Sequence, residues 1–425
     1  MTAHWPDIHY DAWRETCSAL HLYMQIVGKY RLARTPWVNH SWHATFYVNA
    51  RGFTTSLIPD GTGGVEIVLD LLDHKVIGTT DSGRTSGFDL APLSVADFHA
   101  RFIELLGALG ATPKFHGSPN EIPDPTPFAE DHAERPYDAE AVTRFFHACV
   151  ASDRVFKRFR TAFLGKVSPV HLFWGALDVA VTRFSGRLAP LHPGGIPALP
   201  DEVTQEAYSH EVSSAGFWPG GAGTDFPAFY SYAYPAPPGF ADAPVTPEAA
   251  YFDANLGEFL LPYDAVRRSS DPEAALMAFL DSTYRAAADL GQWDRESLEC
   301  PTGEPLRPRP LSTEAGPPGH GGHLAPSANP QELRIEREEG ASKGRYVVRL
   351  EGVKAEMTYS RAGASMIIID HTDVPDALRG RSVGQALVRR AIEDARAEGR
   401  SIIPLCPFAK AQIERHAEWQ DVLKR

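Results

Sequence analysis

Cysteine is scarce in this chain: four residues in 425, at Cys17, Cys149, Cys300 and Cys406. They lie far apart and form no CxxC pair, so neither a disulfide framework nor a thiolate zinc knot is indicated. The segment MTAHWPDIHYDAW has no basic stretch followed by an apolar run. No secretory leader is therefore expected, and a reducing cytoplasm is the expected location. Long hydrophobic runs are also missing. The longest mostly apolar stretch, PVHLFWGALDVAV, is too short for a bilayer and is interrupted by His171 and Asp178, so no membrane partner is expected. Positive charge is in deficit, with a formal net charge of −13. The deficit lies upstream of residue 331, where 24 Lys+Arg face 39 Asp+Glu; residues 331–425 carry 17 against 15. An acidic N-terminal part argues against nucleic acid as a partner, and a mildly basic C-terminal part suits an anionic small molecule.

What is present suggests two folded parts. Residues 301–328 are rich in Pro, Gly and Ser without apolar periodicity and read as a semi-extended linker. They separate a block at 1–300 from a smaller one at 329–425. The large block contains an internal echo. NHSWHATFYVNARGFTTSLIP (39–59) and VHLFWGALDVAVTRFSGRLAP (170–190) share a His, then a Trp, then a strand-like run and a Gly turn. Each is preceded by a long helical pattern and followed, after further strands, by another. In LSVADFHARFIELLGALG the apolar residues Phe98, Phe102, Leu105 and Leu106 recur at helical spacing and mark one buried face. The expected fold class is α+β, with a possible duplication inside the large block.

The small block alternates more plainly. ELRIERE, YVVRLEG, VKAEMTYSRAG and ASMIIIDHTDVP read as four strands in an antiparallel meander. A helix follows with Val383, Leu387, Ala391 and Ala395 on one face, then a short strand SIIPLC and a last helix. Between the fourth strand and the first helix stands RGRSVGQA. Its glycines allow tight turning, a helix start offers unpaired N–H groups, and its arginines add charged donors. Together these make a pyrophosphate cradle from Arg379, Gly380, Arg381, Ser382, Val383, Gly384, Gln385 and Ala386.

AEMTYS (355–360), DHTDVPDALRGRSVGQALV (370–388), IIPLCPF (402–408) and RHAEWQDV (415–422) occur in an order and spacing that resemble the small, single-domain YjdJ-like branch of the GNAT acetyltransferase superfamily. The resemblance covers nearly all of 329–425. It implies a mixed sheet flanked by helices that splays open after the IIIDHTDVP strand. It also implies acetyl-CoA as cofactor, with pyrophosphate on the Arg379–Ala386 loop and a pantetheine arm along Thr372–Val374. Ser382 stands where the superfamily often has glycine. The implied activity is acetyl transfer to an amine, of a small molecule or a peptide. His371 and Asp373, at the splayed strand end, are candidate bases, and His416 follows the last helix. Cys406, between Pro404 and Pro407, is placed at a helix cap facing the cleft. There it either takes part in acetyl transfer or packs as a small hydrophobe. The same small block could instead hold acyl-CoA as a sensor without turnover.

The large block says less. His40, His43, His171, His210 and Glu211 are its densest polar spots near strands, but they have no HExxH spacing, and no metal is expected. EVSSAGFWPGGAGTDFPAFYSYAYPAPPGF (211–240), mixing aromatics, Gly and Pro, reads as a loop that lines a pocket or packs irregularly. The block is similar to an uncharacterised bacterial family of unknown function that shares the HLFWGALDVAVTRFSGR and SHEVSSAGFWPGG segments. An activity of its own, or a role in enclosing or attracting a cationic acceptor, is left open, as is the oligomeric state.

Overall fold

The computed structural model describes residues 5–221, 223–309, 334–340, 342–350, 352–363, 365–375, 378 and 383–424, except the side chains of 414, 415, 417 and 418. The chain divides into two compact units, 1–313 and 314–425.

In the first unit each half runs helix, antiparallel sheet, helix. The first half opens with α1 (Tyr10–Leu32) and builds β1 (Tyr47–Val48), β2 (Gly52–Asp60), β3 (Gly63–Asp70), β4 (Lys75–Thr80) and β5 (Thr85–Asp89) as a meander in chain order. It closes with α2 (Val95–Leu109), whose start is capped by Ser94 accepting from the Asp97 N–H and whose end is a left-handed Gly110. Phe98, Phe102, Leu105 and Leu106 are buried along it, and each such side chain contributes about 1.5–3 kcal/mol by leaving water.

The second half opens with α3 (Ala139–Thr161), then β6 (His171–Phe173), β7 (Asp178–Leu188), α4 (Asp201–Ala207), β8 (His210–Trp218), β9 (Ala228–Tyr234), β10 (Tyr251–Asp253) and β11 (Glu258–Pro262). After α5 (Tyr263–Arg267) it closes with α6 (Pro272–Leu290) and α7 (Arg295–Leu298). Its sheet order is β10-β11-β9-β8-β7-β6. The two halves meet through their corresponding first strands. Phe46, just before β1, exchanges backbone hydrogen bonds of 3.0 and 2.8 Å with Leu172 of β6. The two echoing segments therefore sit beside one another at the seam of a single hydrophobic core.

Residues 211–240 depart from the expected loop. They supply most of a long hairpin, with Gly216 opposite Tyr230 in the register. Every residue from Val212 to Trp218 is buried, so the strand carries no alternation for a sequence reading to detect. The start of the expected linker is also bound to the first unit: the Gly303 N–H donates to Thr161 Oγ1 at 2.9 Å and the Arg309 guanidinium donates to the Thr161 carbonyl. Residues 310–328 and 329–333 lie outside the described residues.

The second unit is a five-stranded sheet in chain order: β12 (Ile335–Glu339), β13 (Lys343–Leu350), β14 (Val353–Arg361), β15 (Met366–Asp373) and β16 (Ser401–Pro404). The first three pairings are antiparallel and β15–β16 is parallel, which makes the sheet mixed. The parallel pairing requires a crossover, and α8 (Val383–Ala397) provides it. Val383, Leu387, Ala391 and Ala395 bury the predicted face of α8 against Tyr346, Met357, Tyr359 and Ile369. Helix α9 (Pro407–Arg415) packs on the same side. The opposite side carries ion pairs such as Arg345–Glu338 and Arg349–Glu336, which are solvated and worth up to about 1 kcal/mol each.

Candidate functional site

The second unit is open between β15 and β16. The two strands pair from Met366–Ser401 to Ile369–Pro404 and then part. The Ile369 carbonyl closes the pairing by accepting from both Leu405 and Cys406 N–H at 3.0 Å. Beyond it β15 continues to Asp373, paired only with β14. A bulge falls at the same place: Tyr359 faces Ile369 and Thr358 faces His371, so Asp370 is the extra residue, held by Ser360 Oγ at 2.7 Å. Alternate backbone N–H and C=O groups of the free β15 edge therefore point into a gap with no strand opposite.

Side chains around the gap divide between the two sheet faces. On the helix face, Thr372 pairs with the buried Met357. Its Oγ1 accepts from Cys406 Sγ at 3.5 Å. Cys406 is buried at 3% exposure and is the N-cap of α9, with Pro407 at the first helical position. On the other face, His371 and Asp373 are exposed, and Arg345, Thr358 and His371 form one cross-strand row. The structure thus brings Cys406 and Thr372 together and sets His371 and Asp373 across the sheet from them.

The mouth of α8 lies on the helix face. Its first turn, Val383 to Ala386, leaves N–H groups without intrahelical partners. Gly384 has a packing reason: a Cβ there would come within 2.9 Å of the Phe408 ring and 3.4 Å of Val374. Gln385 Nε2 lies 3.3 Å from His416 Nε2, and the His416 ring stacks on Trp419 at 3.9 Å. Arg379, Gly380, Arg381 and Ser382 lie outside the described residues.

In the first unit the polar spots disperse. Glu211 is taken by Ser185 and Arg187. His171 is buried at 0% exposure and desolvation pushes its pKa down to about 3. Burial, helped by Lys166, His210 and His171, does the same to His40. His43 contacts the Val38 backbone. Among the described residues no group of three His, Cys, Asp or Glu could hold a metal ion. Among them, too, no helix is long and apolar enough to cross a membrane. A cavity in this unit is lined in part by His40 and by Val212 and Tyr232 of the 211–240 stretch; what sequence reading missed is Glu121 on its wall, in the ordinary-looking stretch SPNEIPDP. The available signal was indirect: Gly28, a glycine in the interior of a helical pattern, where no turn requires it.

The mixed sheet that parts at a bulged strand, with a helix mouth beside the gap, defines the class of the second unit. Residues 345–422 match the family GCN5-related N-acetyl-transferase, so this unit is a GNAT-type N-acetyltransferase domain. Over 71 residues it is 34% identical to protein NATD1 of Bos taurus, covering 16% of this chain and 63% of that protein. NATD1 of Mus musculus is 34% identical over 70 residues, with 16% and 64% covered. The chain thus spans under two thirds of the length of these relatives. A GCN5-like protein from Staphylococcus aureus, known from a solution structure, is 35% identical, with 22% of this chain and 90% of that one covered and a TM-score of 0.19. Residues 5–300 match the family of unknown function DUF5996. The chain belongs to that family and carries the acetyltransferase domain behind it.

Proposed function

We propose that this protein is an acetyl-CoA-dependent N-acetyltransferase acting on an amine, of a small molecule or a peptide. The observation that supports this most is the parting of β15 and β16 after Ile369, with backbone groups facing the gap and the α8 mouth at its helix side.

The chain's residues fit the cofactor. N–H groups of Val383 to Ala386 would hold its pyrophosphate, with Arg379 and Arg381 completing the loop. The free edge at Thr372–Val374 would hold the pantetheine arm by β-type pairing. When bound, acetyl-CoA supplies an activated acetyl thioester. The protein's share is positioning: it fixes the reacting carbonyl between two sheet faces and offers backbone N–H groups to its oxygen. The face away from α8 is the open one, so the acceptor amine approaches there. His371 stands on that face and takes the amine's proton, with Asp373 one residue pair along. Cys406 contributes differently. Its thiol is buried and donates to Thr372, which suits keeping Thr372 and the β15 edge in place. A covalent acetyl-cysteine would need this thiol freed and deprotonated.

Release of CoA thiol from acetyl-CoA in the presence of a panel of amines tests the reaction. Acceptor-dependent release with a matching mass gain of one acetyl group on the amine is expected. Calorimetry showing CoA binding without release under any acceptor would instead make the domain a CoA sensor.

A further inference from the structure

Within the first unit lies a cavity of about 600 Å³, the size of a small-molecule site. It stands apart from the acetyl-transfer reading and does not depend on it. Its walls are mostly apolar, with the rings of Trp37, Trp42, Phe173 and Trp174 among them. Glycines shape it. Gly28 lets the Trp174 indole lie flush on α1, because a Cβ there would come within 2.4 Å of the ring. The indole N–H donates to the Ala44 carbonyl at 2.7 Å, which fixes its plane. The next residue, Gly175, makes room for an acid: a Cβ there would sit 1.9 Å from Glu121 Oε1.

Glu121 is set there against local preference. Its φ of 60° is left-handed, which costs a non-glycine residue about 1 kcal/mol or more. Its N–H is pinned to the Pro197 carbonyl at 2.9 Å. Glu121 is an exposed residue, yet protein packs closely around its carboxyl, and it lines the cavity. Among the described residues its oxygens meet no hydrogen-bond donor and no cation within ion-pair distance. Burial pushes its pKa up, and the field of Lys29 opposes this only in part.

Lys29 is the other charged wall group of the cavity, and it is buried with one donor taken. It is 3% exposed, donates to Asn120 Oδ1, and lies 5.9 Å from the centre of the Trp174 ring. An anionic ligand would find almost no free surface on it. The charge the cavity offers a ligand is therefore the carboxylate, and aromatic faces also attract cations.

We propose that this cavity binds an apolar organic amine as its ammonium ion, with the cation on Glu121 and the carbon body against the tryptophan faces. Discrimination follows from the unpartnered carboxylate: a neutral molecule of the same shape leaves it bare, and an anion is repelled.

The test uses the full-length protein and three probes of one shape: phenethylammonium, phenethyl alcohol and 3-phenylpropionate. Quenching of tryptophan fluorescence, checked by calorimetry, reads binding. Phenethylammonium should bind at least about tenfold tighter than either partner, the range of one charge-assisted hydrogen bond. Glu121→Gln should remove that preference and leave phenethyl alcohol unchanged. Three results would each overturn the proposal: phenylpropionate binding as well as the ammonium, no probe binding at millimolar concentration, or a folded Glu121→Gln protein with unchanged ammonium affinity. The probe comparison on the unsubstituted protein decides the matter even if the variant fails to fold. CoA release is not part of the readout, so failure here leaves the acetyltransferase reading untouched.

Discussion

Replacing Asp178 by asparagine isolates one buried acid behind the cavity wall. Asp178 is 4% exposed at the start of β7 and accepts from the Tyr230 hydroxyl. Burial pushes its pKa from 3.8 up to about 7; the field of Glu121 adds to this and the Tyr230 hydrogen bond opposes it. The consequence for stability has a definite sign. Between about pH 4 and pH 7 the folded chain holds a proton on Asp178 that the unfolded chain has lost. Stability therefore falls as pH rises through that window, and levels off above pH 7. The gap between the two ionisation points is worth about 4 kcal/mol. The substituted amide would keep the shape and an oxygen acceptor for Tyr230 without an ionisable proton. Any cost of its extra N–H donor is the same at every pH. Urea unfolding followed by tryptophan fluorescence suits the measurement, because seven of the eight tryptophans lie in the first unit. The stability of Asp178→Asn relative to the unsubstituted protein should rise by several kcal/mol from pH 4 to pH 7 and stay level beyond. A difference that is the same at every pH would refute the placement of this acid in a dry interior.

Gly28→Ala reverses an ordinary rule. In a helix interior the change usually stabilises by about 0.5–1 kcal/mol, but here the methyl runs into the Trp174 ring, and overpacking costs about 1–3 kcal/mol. A net fall in thermal midpoint is expected by calorimetry; a rise would show that Trp174 gives way freely. His371→Ala should lower acetyl transfer about 10²-fold or more, as for a lost general base, with CoA affinity measured by calorimetry unchanged. Unchanged turnover would reject the base role. Cys406→Ala should keep turnover within a few-fold and cost about 1 kcal/mol of stability from the vacated volume. Abolished turnover with intact CoA binding would make the thiol a nucleophile.

The two units were unequally legible for a physical reason. In the second unit one sheet face is covered by α8 and α9 and the other carries charge, so ELRIERE and YVVRLEG alternate and the order of strands can be read directly. Arg379 to Ser382 lie outside the described residues, and their neighbour Val383 opens α8. Legibility stopped at the sheet faces. His371, Thr372 and Asp373 are consecutive, and alternation alone puts Thr372 opposite to its neighbours. Which face looks at Cys406 depends on the bulge at Asp370, because one extra residue inverts the side for everything after it. No residue type in IIIDHTD announces that extra residue.

In the first unit β8 is buried on both faces, so Val212–Trp218 reads as an unpatterned run and its hairpin as a loop. The cavity is harder still, because it is defined by what two glycines omit. Gly28 lies in the middle of a helical pattern, and Gly175 lies in the turn between β6 and β7 without a positive φ, so its role beside Glu121 is hidden behind an ordinary turn glycine. Their partners, Trp174 and Glu121, are distant in sequence from Gly28 and Gly175 respectively, or adjacent in a way that carries no periodicity. Glu121 adds a strained backbone that appears only in coordinates. Strain of this kind persists when the surroundings over-determine it. Here the Pro197 carbonyl does so from one side and the bare Gly175 backbone from the other. A carboxylate held by two such constraints, with no cation bonded to it among the described residues, is the feature of the first unit least explained by packing alone, and it is therefore where a ligand for this family is best sought.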